Sequence, residues 1–272
     1  LMCRLLGISV SAFYNWLKQG ARSIAETREK QTIRIKEIFW QKKKRYGSKR
    51  IFRQLREDGV KISRSTVESI MRECNLVAKG KKRFKRTTDS DHGNAPAPNL
   101  LDRRFDVVDV DSVWLTDITY LPRLNGGFLY LCVIMDLASR EIIGWYVDTH
   151  MEVSLVYSAL ISAVINRWHV ARGIIFHSDQ GSQYGAKDFL ELLCLYGFIQ
   201  SMSRRAQCWD NAPMESFFDS LKTEYPECLK FKGLGDARLG LFEYIEIFYN
   251  RERMHSAIDY QRPSSYEPLD GR

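Results

Sequence analysis

A chain of 272 residues, 44% hydrophobic and 27% charged, has the composition of an ordinary folded protein and the length for one large domain with one or two small ones. No apolar run approaches the ~18–20 residues of a membrane span and no secretory signal opens the chain, so neither a spanning helix nor a leader is expected. The net charge of +8 is unevenly spread: residues 1–105 carry 26 Lys and Arg against 10 Asp and Glu, a net of +16, and residues 106–272 carry 15 against 23, a net of −8. A basic front half suits phosphate neutralisation, and an acidic back half suits a task that needs carboxylates.

The chain opens at Leu1, without methionine and inside a helical pattern, so a natural start upstream or a trimmed product is expected. Leu5-Leu6-Gly7-Ile8-Ser9-Val10-Ser11 followed by Ala12, Phe13, Trp16 and Leu17 reads as the end of a helix-turn-helix, a partial unit over residues 1–22. Residues 23–78 have the same grammar. A helix through Ile35, Ile38 and Phe39 precedes Tyr46-Gly47-Ser48, a second helix over 49–57 stops at Asp58-Gly59, and Ser65-Thr66-Val67-Glu68 has the form of a capping box. Lys42, Lys43, Lys44, Arg45, Lys49, Arg50, Arg53, Arg56 and Arg64 favour DNA over a plain helical bundle. Residues 79–104 form a linker, basic from Lys79 to Arg86 and rich in Asp, Gly, Pro and Ala from Thr87 to Asn99.

Residues 105–272 read as α/β. Strands are expected at Val113–Leu121, Phe128–Asp136 and Ile142–Val147, the first two joined by an Asn125-Gly126-Gly127 turn. A helix over Val153–Trp168, a buried strand Gly173–Asp179, a helix Lys187–Tyr196 and a strand Phe198–Ser201 follow. A polar loop, Arg204 to Asn211, precedes helices near Pro213–Tyr225 and Asp236–Asn250. Three antiparallel strands, then helix, strand, helix and strand, is the order of a ribonuclease-H-like core with a mixed five-stranded sheet. The six cysteines include no C-x-x-C pair, which argues against a zinc module and a disulfide framework and favours a reducing cytoplasm. Tryptophans are expected in the core, except Trp209 in the polar loop.

Two-metal cleavage and transfer of phosphodiesters requires carboxylates that converge from rigid elements. Asp117 lies inside Trp114-Leu115-Thr116-Asp117-Ile118-Thr119-Tyr120, where strand propensity disfavours aspartate. Asp109 and Asp111 precede that apolar run and are expected to face solvent, and Asp136 ends its strand at a turn, an ordinary structural place. Asp179 closes a strand beside a small-residue loop, and Glu215 sits near a helix start. Asp179 and Glu215 are separated by 35 residues, but so are Asp188 and Glu224, and Asp210 and Glu246. The spacing therefore decides nothing. Asp188 and Glu224 fall inside helix patterns and Glu246 on an expected exposed face, so only Asp179 and Glu215 join a strand end to a helix start. Lys222 lies two turns after Glu215, ~10 Å along the axis and on about the same face, where a cation could hold DNA backbone or simply belong to a charged surface.

Trp114-x-x-Asp117-x-Thr119, His177-Ser178-Asp179-Gln180-Gly181-Ser182-Gln183-Tyr184, and Asp210-Asn211-Ala212-x-x-Glu215-Ser216-Phe217-Phe218 with Lys222 resemble the integrase-core signature. The chain most resembles the OrfB-type DDE transposases of the IS-three family of bacterial insertion sequences. Tyr46-Gly47-Ser48-Lys49-Arg50-Ile51 is similar to the helix-turn-helix before that core, and Asn250-Arg251-x-Arg253-x-His255-Ser256 through Pro263 to its closing segment, with Met254 where proline is expected. The histidine–cysteine zinc domain of retroviral integrases is not expected, and too few residues follow Ser265 for their barrel.

The resemblance implies that Asp117, Asp179 and Glu215 bind two Mg²⁺, with Mn²⁺ as a substitute, to expose a 3′-hydroxyl at an element end and join it to a second phosphodiester. Copy-out-paste-in is the implied pathway. His177, Gln183, Asn211, Lys222, Arg204 and Arg205 are second-rank candidates for DNA contact at the core, His177 equally for ordering its strand end; Lys49, Arg50, Arg53 and Arg64 are candidates in the front half. Implied partners are double-stranded DNA (terminal inverted repeats and target), a second copy or more on that DNA, and the upstream-frame OrfA protein or a fusion with it. The implied place is the bacterial nucleoid in the cytoplasm. A nuclease of the same fold without strand transfer, and a non-catalytic DNA-binding repressor, remain open; the second leaves Asp117 within a strand unexplained.

Overall fold

In the computed structural model the described residues are Cys3, 7–80, 96–168, 170–205 and 207–268, with backbone alone at 18–24 and 208. They divide into two compact units, residues 1–79 and 80–272. Most of the expected basic linker, 81–95, lies outside the described residues, as do 1–2, 4–6 and 269–272 at the chain ends.

The first unit is built on helix α1, Val10–Gln41, whose Ser9 Oγ accepts the Ala12 N–H at 3.1 Å. The helix runs unbroken through residue 22, where the sequence reading divides a partial first unit from a second. The physical reason is that no proline interrupts 10–41, and a lone Gly20 costs only about 1 kcal/mol against alanine. Ile35, Ile38 and Phe39 of α1 are buried, as are Ile51 and Leu55 of α2 (Ser48–Glu57) and Val67, Ile70 and Met71 of α3 (Arg64–Glu73). Helix α3 is capped by Ser63, which accepts the Thr66 N–H at 3.1 Å, two residues before the expected box. Glu68 instead accepts Arg64 Nε at 2.8 Å and Ser48 Oγ at 3.3 Å.

The second unit holds a five-stranded sheet in the order β3-β2-β1-β4-β5. Strands β1 (Val113–Pro122), β2 (Phe128–Asp136) and β3 (Ile142–Asp148) are antiparallel, while β4 (Ile175–Ser178) and β5 (Ile199–Met202) run parallel to β1. The β1–β2 turn uses Gly126 and Gly127 at φ +87° and +74°, a region costly for other residues. Helices α4 (Val153–Arg167) and α5 (Lys187–Tyr196) pack on the sheet through one cluster that includes Trp114, Ile134, Leu155, Ala159, Phe176 and Phe189. Gly144 on β3 lets α4 come close, since a Cβ there would lie 2.5 Å from the Ala159 carbonyl oxygen. Helix α6 (Ala212–Glu224) follows β5, and α7 (Leu234–Phe242) continues into a wide π turn over Glu243–Tyr249. This is the expected mixed sheet with flanking helices.

The tryptophans correct the sequence reading. Trp114 is fully buried and Trp145 partly so, but Trp16, Trp40 and Trp168 are each more than half exposed, as is Trp209, the expected exception. Among the described residues no helix is long and apolar enough to cross a membrane.

Candidate active site

The site begins with the register of two parallel strands. Leu115 of β1 lies beside His177 of β4, so two residues further on come Asp117, in the middle of β1, and Asp179, just past the end of β4. Each carboxylate is steadied by backbone: Asp117 Oδ1 accepts the Ile118 N–H at 2.8 Å, and Asp179 Oδ1 accepts the Gly181 N–H at 3.0 Å. Gly181 permits this tight turn, because a Cβ there would meet Asp179 Oδ1 and Gln183 Oε1, each at 3.0 Å.

Helix α6 supplies the third carboxylate, Glu215, from its first turn. Two side chains fasten that helix to β1 on either side of Asp117. Asn211, at the helix start, donates from Nδ2 to the Thr116 carbonyl at 3.0 Å, and Lys222 Nζ donates to Thr119 Oγ1 at 2.7 Å. Burial pushes the Asp117 carboxyl well above the usual carboxylate range, the charges of Asp179 and Glu215 push the same way, and the Ile118 N–H and Lys222 act against them. The Asp117 carboxylate therefore feels the charges of both Asp179 and Glu215. Among the described residues the three carboxylates do not form a ready-made cage, since no three His, Cys, Asp or Glu side chains are arranged as a group that could hold an ion. Their chemistry nonetheless fits one: hard oxygen donors, two of whose charges raise the proton affinity of Asp117, are what a divalent cation relieves.

Several second-rank candidates have other work. His177 is fully buried, with Nδ1 at 2.9 Å from Ser201 Oγ and Nε2 at 3.1 Å from Ser203 Oγ. Both ring nitrogens are thus committed to β5 and the loop after it, and burial holds the imidazole down at about 4, so it is neutral at pH 7 and ties its strand end to these neighbours. Asn211 is 5% exposed and serves as the α6 fastener. Gln183 Nε2 donates to the Met151 carbonyl at 3.0 Å, tying the Ser182–Gly185 turn to the lead of α4. Arg204, expected to grip phosphate, is spent largely on Asp210 at 2.9 Å and Asp102 at 3.2 Å. Arg205 is exposed in the same loop. In the first unit Lys49 and Arg53 are exposed on α2, Arg50 lies over the Tyr46 ring at 5.7 Å, and Arg64 is paired with Glu68.

Acidic residues that seemed ordinary also prove structural. Asp111, expected in solvent, accepts Trp114 Nε1 at 2.9 Å and pairs with Arg167 at 3.0 Å. Asp136 is fully buried and accepts the N–H groups of Asp111 and Ser139, a turn role as expected. Glu224 is buried against Arg253 at 2.9 Å and Tyr244 at 3.1 Å, and Glu246 accepts Trp145 Nε1 at 2.8 Å, which corrects the exposed face assumed for it. Sequence reasoning missed Asp210 as a hub. Its buried carboxylate takes Arg103 Nε at 2.6 Å, Asn99 Nδ2 at 3.0 Å and three donors of Arg204, and these hold it well below the usual carboxylate range, Arg204 foremost. The one signal available was its place beside Asn211 in the loop before Glu215.

Comparison with known proteins adds sequence kinship. A family model described as "Integrase core domain" matches residues 109–208, a second so described matches 196–263, and one for an "HTH-like domain" matches 26–84. The chain is 36% identical over 265 residues to the "Insertion element IS600 uncharacterized 31 kDa protein" of Shigella sonnei, covering 97% of each. It is 36% identical over 240 residues to the "Transposase for insertion sequence element IS904" of Lactococcus lactis, covering 88% of this chain and 94% of that one. To "Transposase InsF for insertion sequence IS3A" of Escherichia coli K12 it is 35% identical over 268 residues, covering 98% and 92%. Among solved structures, the HTLV-2 integrase catalytic core domain in complex with magnesium aligns at a TM-score of 0.42 and 13% identity, over 59% of this chain and 98% of that one.

Proposed function

This chain belongs to the transposases of the IS3 family of insertion sequences, enzymes of the DDE polynucleotidyl-transferase class, and from that membership we propose that Asp117, Asp179 and Glu215 are its catalytic, metal-binding carboxylates. The observation that carries the reading is the fastening of α6 across β1, with Asn211 on Thr116 and Lys222 on Thr119, which brings the Glu215 charge to bear on Asp117 beside that of Asp179.

Three carboxylates on neighbouring elements suit two Mg²⁺ ions, or Mn²⁺ in their place. Bound there, such ions supply Lewis-acid activation of the attacking oxygen and stabilisation of the leaving one. The chain's own residues hold and align the rest. Lys222, whose pKa burial lowers, offers its ammonium to a backbone phosphate beside the carboxylates, while Gln183 and Asn211 keep the surrounding turns in place. In the first step water attacks a phosphodiester at the element end, and the P–O bond that breaks leaves a free 3′-hydroxyl. In the second, that hydroxyl attacks another phosphorus, forming one P–O bond and breaking one, by the copy-out-paste-in route. The DNA is the terminal inverted repeats and the target, held by two or more copies acting with the upstream-frame protein or fused to it, at the nucleoid of the bacterial cytoplasm. Residues 23–78 are the DNA-binding domain and 105–272 the catalytic core.

A strand-transfer assay with a pre-cleaved element end and target DNA tests this assignment. Asp117→Asn and Asp179→Asn each abolish joining and leave DNA binding intact. Joining that survives both substitutions sinks it, and cutting without any joining by the unaltered chain means a nuclease instead.

A further inference from the structure

Trp209 is the large side chain that the chemistry above leaves unused. It lies six residues before Glu215 in the short 3-10 turn Cys208–Asn211, and 65% of its surface is exposed. The turn that carries it is held on both of its C-terminal residues. Asp210 is clamped by Arg103, Asn99 and Arg204, and Asn211 is hydrogen-bonded to the Thr116 carbonyl, one residue before Asp117. An indole is thus presented to solvent from a fixed base that is bonded to the residue before Asp117 and precedes Glu215 by six positions. Trp168, Trp16 and Trp40 are also exposed, but none lies near the three carboxylates in the chain or on such an anchor.

Its neighbours define what it suits. Arg204 and Arg205 precede it by five and four residues in the same loop, both exposed, and Arg204 remains half exposed despite its ion pairs with Asp210 and Asp102. Aromatic rings interleaved with cations are how proteins grip unpaired nucleic acid, the ring covering a base while the cations follow the backbone. A DNA end whose terminal pairs open to bring a phosphodiester onto the carboxylates exposes a base with nothing to stack on. Fixing the ring beforehand removes much of the ordering cost of covering that base.

We propose that Trp209 is a stacking platform for an unpaired nucleobase at the DNA end, beside the reacting phosphodiester. The proposal rests on the reading of Asp117, Asp179 and Glu215 as the reaction centre, since that fixes which DNA reaches the loop.

The test is a binding measurement on the full chain in EDTA, so that nothing is cut. It uses two duplexes of equal length, one fully paired and one with its last three pairs mismatched. The unaltered chain binds the frayed duplex about 5- to 150-fold more tightly, the range expected for one stacked base. Trp209→Ala loses that preference with its melting temperature unchanged, because the side chain is on the surface; Trp209→Phe keeps most of it, and Trp168→Ala keeps it all. Equal affinity of the unaltered chain for the two duplexes overturns the proposal, and so does a preference that survives in Trp209→Ala. Asp117→Asn retains the preference whatever it does to joining, so a wrong active-site assignment and a wrong stacking assignment give different results.

Discussion

His177 shows how a residue can sit inside a signature and still act on the fold. It lies two positions before Asp179, yet its two nitrogens are used by Ser201 and Ser203, so it links β4 to β5 and the loop beyond. Its pKa of about 4 lies below the ordinary 6.5. Between these values the unfolded chain takes up a proton that the native ring refuses, so the stability is fully present above pH 6.5 and is lost as pH falls toward 4. The loss reaches about 3 kcal/mol at pH 4, an order-of-magnitude figure. Urea unfolding at pH 7.5 and 4.5 should therefore show a clear acid loss in the unaltered chain and a flatter profile in His177→Gln. Identical pH profiles would mean that the ring does not titrate on unfolding. His177→Gln at pH 7.5 should also keep DNA affinity, since the ring has no exposed surface to offer a phosphate.

At the scale of elements, α6 is the piece whose position determines whether three carboxylates meet. Its N-terminus hangs on Asn211 and its C-terminal turns on Lys222, on Glu224 with Arg253, and on Ser220, which accepts Arg253 Nη2 at 3.0 Å. Glu224 and Arg253 are both nearly inaccessible. Arg253→Met strands a buried carboxylate and should cost about 3–5 kcal/mol, whereas Glu224→Leu with Arg253→Met together should cost much less, because an apolar pair of similar volume often replaces a buried ion pair without loss. Denaturant unfolding of the two singles and the double gives the coupling directly, and additive losses would show that the pair is not a unit. The sheet and most helices were legible in the sequence because their signals are local: alternation, a Gly-Gly turn, and an aspartate where strand propensity resists it. The fasteners were not, because Arg103 and Asp210, or Thr116 and Asn211, meet across about a hundred residues of chain. Trp16, Trp40 and Trp168 misled for the opposite reason: bulk and apolarity favour burial on average, but which face a residue occupies is set by packing partners that lie far away in sequence.

For the molecule as a whole, the charge division sets how it must meet DNA. A catalytic half with a net of −8 repels a polyanion, so attraction has to come from the front half, with its net of +16. Within the first unit the cations are not equivalent. On α3 Arg64 pairs with Glu68, and nearby Arg28 on α1 pairs with Glu73, so that helix offers little net charge. On α2, Lys49, Arg53 and Arg56 are all exposed at positions i, i+4 and i+7, one stripe opposite the buried Ile51 and Leu55. That geometry favours α2 over α3 as the phosphate-facing helix, the place that the first helix of such a pair takes while the second reads base edges. Each phosphate contact contributes a slope of about −0.9 to the dependence of log affinity on log salt. The triple change Lys49→Gln, Arg53→Gln, Arg56→Gln should therefore flatten the slope by up to about 2.7, while Arg64→Gln and Asp117→Asn leave it nearly unchanged. Titrating a duplex at several salt concentrations reads all of these. A slope untouched by the triple change, but flattened by Arg64→Gln, would move the DNA face to α3.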